Sequence, residues 1–211
     1  MKHSFVGYLA FALTFTLAAC GDSDSSTGAP EGTIGSVTDS RDGQTYKTIV
    51  IGKQTWMAEN LNYDAKNSLC YGGHSENCTK YGRIYTWSVA KTACPSGWHL
   101  PTYSEFETLF TAVADSKDSA GVKLKSTSGW NDYSGESGNG TDDYSFSALP
   151  GGAKSSSGYS LNVGKEAYFW SSTESDSYSA YYLFLSYDTE RARLSNNNAK
   201  NYWFSVRCLM D

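Results

Sequence analysis

Apolar and polar positions alternate with different rhythms along this chain. Over residues 43–61, GQTYKTIVIGKQTWMAENL, they alternate in part among β-branched and aromatic residues, which predicts a β-hairpin turning at Gly52 and Lys53. Residues 80–94, KYGRIYTWSVAKTAC, begin like a strand and become helical after Thr86, with Trp87, Ala90 and Lys91 at helical spacing. Pro101 disfavours helix before it, and Thr102 with Glu105 makes a capping box. Phe106, Leu109, Phe110 and Val113 then fall at i, i+3, i+4 and i+7, so a helix of about three turns starts here.

From residue 121 to 158 the rhythm fades into Gly, Ser, Asp and Asn. Irregular chain of that length inside a compact domain is functional or mobile. Only YSFSALPGG alternates there, and a short strand is expected at residues 144–149. Order returns in EAYFWSST, SAYYLFLSYD, RARLS and NYWFSVRCLMD, which predict strands at residues 167–172, 180–186, 191–194 and 203–209. The sum is an α+β domain: one or two early helices, a long irregular loop region, and an antiparallel sheet closing the chain.

The first residues change the picture. MKHSFVGYLAFALTFTLAAC carries Lys2, an apolar run to about residue 17 and small residues before a cysteine, the layout of an export signal too short to span a membrane. LAAC resembles a bacterial lipobox, which implies cleavage before Cys20 and acylation of that cysteine, palmitate included. The expected organisation is a lipoprotein signal peptide at 1–19, a flexible tether of Gly, Ser, Asp and Pro at 20–34, and a folded domain at 35–211. The chain is then expected to sit on a membrane of the bacterial envelope through its lipid, at the outer membrane or cell surface rather than the inner membrane.

Loss of Lys2 takes the formal charge from −5 to −6, so there is no basic footprint and no nucleic-acid partner is expected. Export places the domain where thiols pair. Beyond Cys20 stand Cys70, Cys78, Cys94 and Cys208, which allow three connectivities. The pairing favoured here is Cys70–Cys78, a short clip, and Cys94–Cys208, tying the helix start to the last strand. Zinc is disfavoured, with no C-x-x-C pair and only His74 and His99 left in the mature chain.

TIVIGKQTWMAENLNYD, YGRIYTWSVA, CPSGWHLPTYSEFETL, GTDDYSFSALPGG, FWSSTE and FSVRC, in that order, resemble the Fibrobacter succinogenes major paralogous domain family over residues 35–211. That family is similar in turn to C-type lectin-like and formylglycine-generating-enzyme folds. The resemblance implies a C-type lectin-like domain whose two ends meet in one sheet, an arrangement that suits a Cys94–Cys208 bridge. By itself it implies no activity.

Three chemistries are then weighed. A formylglycine-generating-enzyme-like oxidase binds copper through two late thiolates, whereas Cys208 is the only late cysteine here. A Cys94–His99 nucleophile pair needs a free thiolate, and His99 beside Trp98 is expected to be a packed residue bonded to backbone. For Ca²⁺, the loop offers oxygens from Asn131, Asp132, Asp142 and Asp143, with Glu136 and Asn139 nearby. WND at 130–132 matches in letters a calcium motif of sugar-binding C-type lectins, without that motif's Glu-Pro-Asn or Gln-Pro-Asp partner. No resident cofactor is otherwise expected. The expectation is a non-catalytic binding domain that recognises a polysaccharide or a neighbouring surface protein through aromatic faces and amides, with Tyr178, Tyr187, Asp188, Asn196, Asn197, Asn198 and Asn201 as the recognition surface. A purely structural envelope lipoprotein is the alternative.

Overall fold

The computed structural model describes residues 32–114 and 116–211. The expected signal peptide, Cys20 and nearly all of the tether lie outside the described residues. The chain opens with strand β1 (Ile34–Thr38), and the hairpin legible in the sequence forms as β2 (Thr45–Ile51) and β3 (Gln54–Met57), turning at Gly52 and Lys53. A 3-10 turn at Tyr71–Gly73 leads into helix α1 (Ser75–Tyr81), which the polar sequence there did not signal. Then come β4 (Ile84–Tyr85), the single turn α2 (Trp87–Ala90) and β5 (Trp98–His99).

Helix α3 (Tyr103–Val113) starts at the predicted capping box. Glu105 donates its N–H to Thr102 Oγ1 while its carboxylate receives the Thr102 N–H, so two otherwise orphaned donors are satisfied at once. Its apolar stripe of Phe106, Leu109, Phe110 and Val113 is buried as the spacing requires. Helix α4 (Lys117–Leu124) follows, then β6 (Ala153–Lys154), β7 (Ser160–Leu161), β8 (Glu166–Glu174), β9 (Ala180–Ser186), β10 (Ala192–Ser195), β11 (Phe204–Ser205) and β12 (Leu209–Met210).

Two five-stranded sheets result, in the orders β1-β2-β3-β12-β5 and β10-β9-β8-β11-β4, with β6-β7 as a separate small ribbon. The second sheet is buried on both faces. Ala167, Phe169, Leu183 and Leu185 enter one core with Trp56, Phe106 and Phe146, while Tyr168, Trp170 and Tyr182 enter another with Trp87, Trp98 and Phe204. That accounts for the unbroken apolar runs of the last fifty residues, since a strand covered on both sides has no solvent face to keep polar.

Two expectations are corrected. Residues 144–149 form no strand and contribute one bridge, Ala148 to Lys125. The run 203–209 is not one strand but two: β11 belongs to the second sheet and β12 to the first, and the chain crosses between them over Val206, Arg207 and Cys208. All residues from Phe204 to Leu209 are buried. Along that crossing the carbonyls of Val206 and Cys208 accept from Leu61 and Met57 at 2.9 and 3.0 Å, because buried backbone leaving one ladder must find partners in another.

Both disulfides form as expected, Cys70–Cys78 and Cys94–Cys208. The second closes 114 residues, worth roughly 4–5 kcal/mol on the loop-entropy model. It joins the approach to α3 to the junction between sheets. The first and last described strands, β1 and β12, share one sheet.

Candidate functional site

Beneath β2 lies a cleft of about 500 Å³, walled by β2, the 58–62 segment, α1 and the 145–149 loop. From β2 the lining includes Tyr46, Lys47, Thr48 and Ile49, of which Lys47 is exposed and the others buried. Helix α1 is clipped to the preceding turn by Cys70–Cys78 and ends at Gly82, whose φ is 73°. A Cβ at Gly82 would lie 2.8 Å from both Asn60 Cβ and the Leu61 carbonyl, so only glycine lets α1 close against the 60–62 segment.

Asn60 links wall to floor. Its Nδ2 donates to the Tyr81 carbonyl at 2.8 Å, and its Oδ1 accepts from Arg207 Nε at 3.1 Å and Nη2 at 2.6 Å. Arg207, 1% exposed, also donates to the carbonyls of Phe146 and Met57 and stands over the Phe146 ring at 4.5 Å. All of these partners are neutral. Burial pushes its pKa down to about 9, against the opposing pull of Asp142 and Glu59, and it remains a cation at neutral pH.

Two features set the cleft apart. Asn62 Oδ1 is a buried acceptor with no partner, although its residue's N–H donates to Tyr46 Oη at 3.1 Å. Among the described residues it is the one buried side-chain polar atom left so, and such an atom is costly unless something fills it. The loop opposite holds Asp142, Ser145 and Ser147 at φ of 52°, 54° and 52°, left-handed backbone that L residues avoid. It is pinned where Ser147 donates its N–H and Oγ–H to Asp142 at 2.7 and 2.6 Å. Strained backbone that the surroundings enforce concentrates at binding sites.

The sequence-predicted recognition residues fall elsewhere, in two groups at opposite ends of β9. At one end Tyr178, 80% exposed, sits in a turn held by Asp176, and the Asn loop is bonded internally. Asn196 donates to Ser175 Oγ at 2.7 Å, Asn197 accepts from Tyr182 and from Ser195 at 3.0 Å, and Asn198 donates to Tyr182 Oη at 2.8 Å, while Asn201 is exposed. At the other end Tyr187 packs edge-on against Tyr133 at 5.3 Å, and Asp188 accepts from Ser186 Oγ at 2.6 Å in a shallow depression shared with Glu166, Phe184 and Arg193. Seven residues of strand separate the groups, about 20 Å, so they do not form one surface.

The calcium candidates are likewise dispersed in their bonding. Asn131 binds the Gly164 carbonyl through its N–H at 2.7 Å, Asp132 and Asp143 are exposed, and Asp142 is committed to Ser147. Burial raises the Asp142 pKa, and the Ser147 bonds oppose this. Among the described residues no three His, Cys, Asp or Glu side chains are grouped to hold a metal.

Cys94 and Cys208 are bonded to each other, so neither offers the thiolate that a nucleophile or Cu(I) site requires. His99 is not bonded to backbone as expected: its Nδ1 meets Asp211 Oδ1 at 2.7 Å and its Nε2 meets Glu105 Oε1 at 3.0 Å. Burial works against its charge, but the two carboxylates outweigh it and hold its pKa above the usual range.

Sequence reasoning missed Asn60, Asn62 and Arg207. A signal existed for one of them: a cation inside the apolar run FSVRCLM needs a purpose wherever that run is buried. No curated protein and no solved structure matches this chain. The family profile of the Fibrobacter succinogenes major domain does match it, over residues 49–210. That span includes the hairpin turn with β3, both disulfides and Arg207, and the chain belongs to the Fibrobacter succinogenes major domain family.

Proposed function

We propose that this protein is a non-catalytic binding domain, exported and tethered to the bacterial envelope by lipid on Cys20, that recognises a polysaccharide in the cleft beneath β2. In this reading residues 1–19 are removed as a signal, 20–34 form the tether, and 35–211 are the binding domain on a C-type lectin-like plan. A first and last strand sharing one sheet, closed by Cys94–Cys208, is the arrangement that plan expects. The observation that carries the reading is a cleft lined by hydroxyls and amides, with Asn62 in its wall bearing a buried Oδ1 acceptor that no described group satisfies. A sugar hydroxyl supplies the missing donor, and saccharide sites combine apolar walls with a few placed polar groups.

The test is a glycan-binding screen of the full-length protein beside Asn62→Ala. The expected result is retention of at least one polysaccharide, weakened roughly tenfold in the variant, about the worth of one hydrogen bond in a buried site. Equal binding by both proteins rejects the cleft, and capture of only a surface protein rejects the saccharide. Mass spectrometry of the native membrane fraction reads the anchor, and an unacylated Cys20 overturns the tethering.

A further inference from the structure

We propose that the ligand of this cleft is an acidic saccharide, a chain of sugar rings bearing carboxylates. The inference rests on the saccharide reading above and adds the ligand's charge. The protein as a whole is anionic, with a formal charge of −5. The cleft is the reverse: its charged lining residues are Lys47, Lys80 and Arg207 against Glu59 alone.

Among the described residues none of the three cations is held in an ion pair, and Arg207 feels Asp142 and Glu59 only through space. Lys47 and Lys80 make no ion pair among the described residues, Lys80 only overlying the Tyr81 ring at 4.8 Å. Arg207 bonds only neutral oxygens. Of the nearby acids, Glu59 accepts the Lys47 backbone N–H at 2.7 Å and Asp142 is turned into its own loop by Ser147. Three cations against Glu59 and Asp142 leave an excess of positive charge, and low-dielectric walls focus its potential into the cleft, where a carboxylate gains charge-assisted bonds at the rim. The exposed lysine ammoniums reach the ligand, while Arg207 acts through its field, since its own donors are taken up by the floor.

The ligand must carry a donor as well as an anion, because Asn62 Oδ1 needs a donor, which a carboxylate lacks and a sugar hydroxyl has. A uronate presents both on one ring.

The experiment is calorimetry of the full-length protein with oligomers of galacturonic, glucuronic and mannuronic acid, each beside the same oligomer with its carboxyls reduced to alcohols. The expected result is tighter binding of at least one acidic form, a preference that shrinks as salt rises, and two- to fivefold weakening of that form alone in Lys47→Gln and Lys80→Gln. Both lysines are exposed, so the variants fold. Equal binding of acidic and reduced forms, insensitive to salt and to both variants, overturns the acidic ligand and leaves the saccharide reading standing. Binding of neither form overturns the acidic ligand, and the glycan screen then decides separately whether any saccharide is bound.

Discussion

The cleft beneath β2 and the Asn-rich loop after β10 are both polar, yet the fold treats them oppositely. In the loop the amides of Asn196, Asn197 and Asn198 are spent on Ser175, Tyr182 and Ser195, so the segment fastens itself to its own sheet. In the cleft an amide oxygen is buried without a partner, Ser145 and Ser147 are held in left-handed backbone, and a cation is bonded to neutral oxygens. On the proposed reading, recognition is marked by groups that folding leaves unsatisfied, and an abundance of polar residues does not locate them.

The contrast can be broken most forcefully at the disulfides. Replacing Cys94 and Cys208 by alanine is expected to lower stability by roughly 4–5 kcal/mol, against roughly 2.5 kcal/mol for the short Cys70–Cys78 clip, because the longer loop restricts the unfolded chain more. Urea denaturation of the two double variants checks this, and equal losses reject the loop-closure account. The short clip should matter more to the cleft, whose α1 wall it holds.

Arg207→Leu comes next, at roughly 3 kcal/mol, because Asn60 Oδ1 and the Phe146 carbonyl are left buried without their donor. Asn198→Ala, in the self-satisfied loop, is expected to cost under about 1 kcal/mol. Comparable urea midpoints for the two would erase the distinction between the regions. Thr102→Ala, away from both, should cost about 1 kcal/mol by removing the α3 cap, measured the same way.

The gentlest probe is pH. Carboxylates only accept hydrogen bonds, so with Asp211 and Glu105 ionised both ring nitrogens of His99 must donate, and the ring is an imidazolium. Its folded pKa lies above the unfolded value, so its stabilisation is complete below about 6.5 and is lost as pH rises through the folded pKa. Melting temperature should therefore decline along that limb, and His99→Asn should flatten it. Arg207 keeps its charge until about pH 9, so ligand affinity at the cleft should not follow the His99 titration. Affinity that falls in step with the melting temperature would couple the two regions.

Much of the fold was legible because it is local. The hairpin at residues 45–57 follows from alternation around Gly52, and α3 from Pro101, the Thr102–Glu105 box and a four-residue stripe. The helix α1 was hidden because SENCTKY has little apolar periodicity, and it is held in place by Cys70–Cys78 and the Asn60 bond to Tyr81. The terminal strand misled for a related reason: a run buried throughout looks the same whether it serves one sheet or two.

The sequence by itself determined the family, the α+β composition and the start of the central helix, since each depends on neighbours in the chain or on a run of matched motifs, while the cysteine pairing it favoured among three was fixed by the fold. Only the tertiary structure decided which polar groups are spent and which are free. Asn60 meets Arg207 across 147 residues, and Asn62 is left without a partner by what packs around it. Hydrogen-bond satisfaction is a property of three-dimensional enclosure, and no local pattern of residues encodes it.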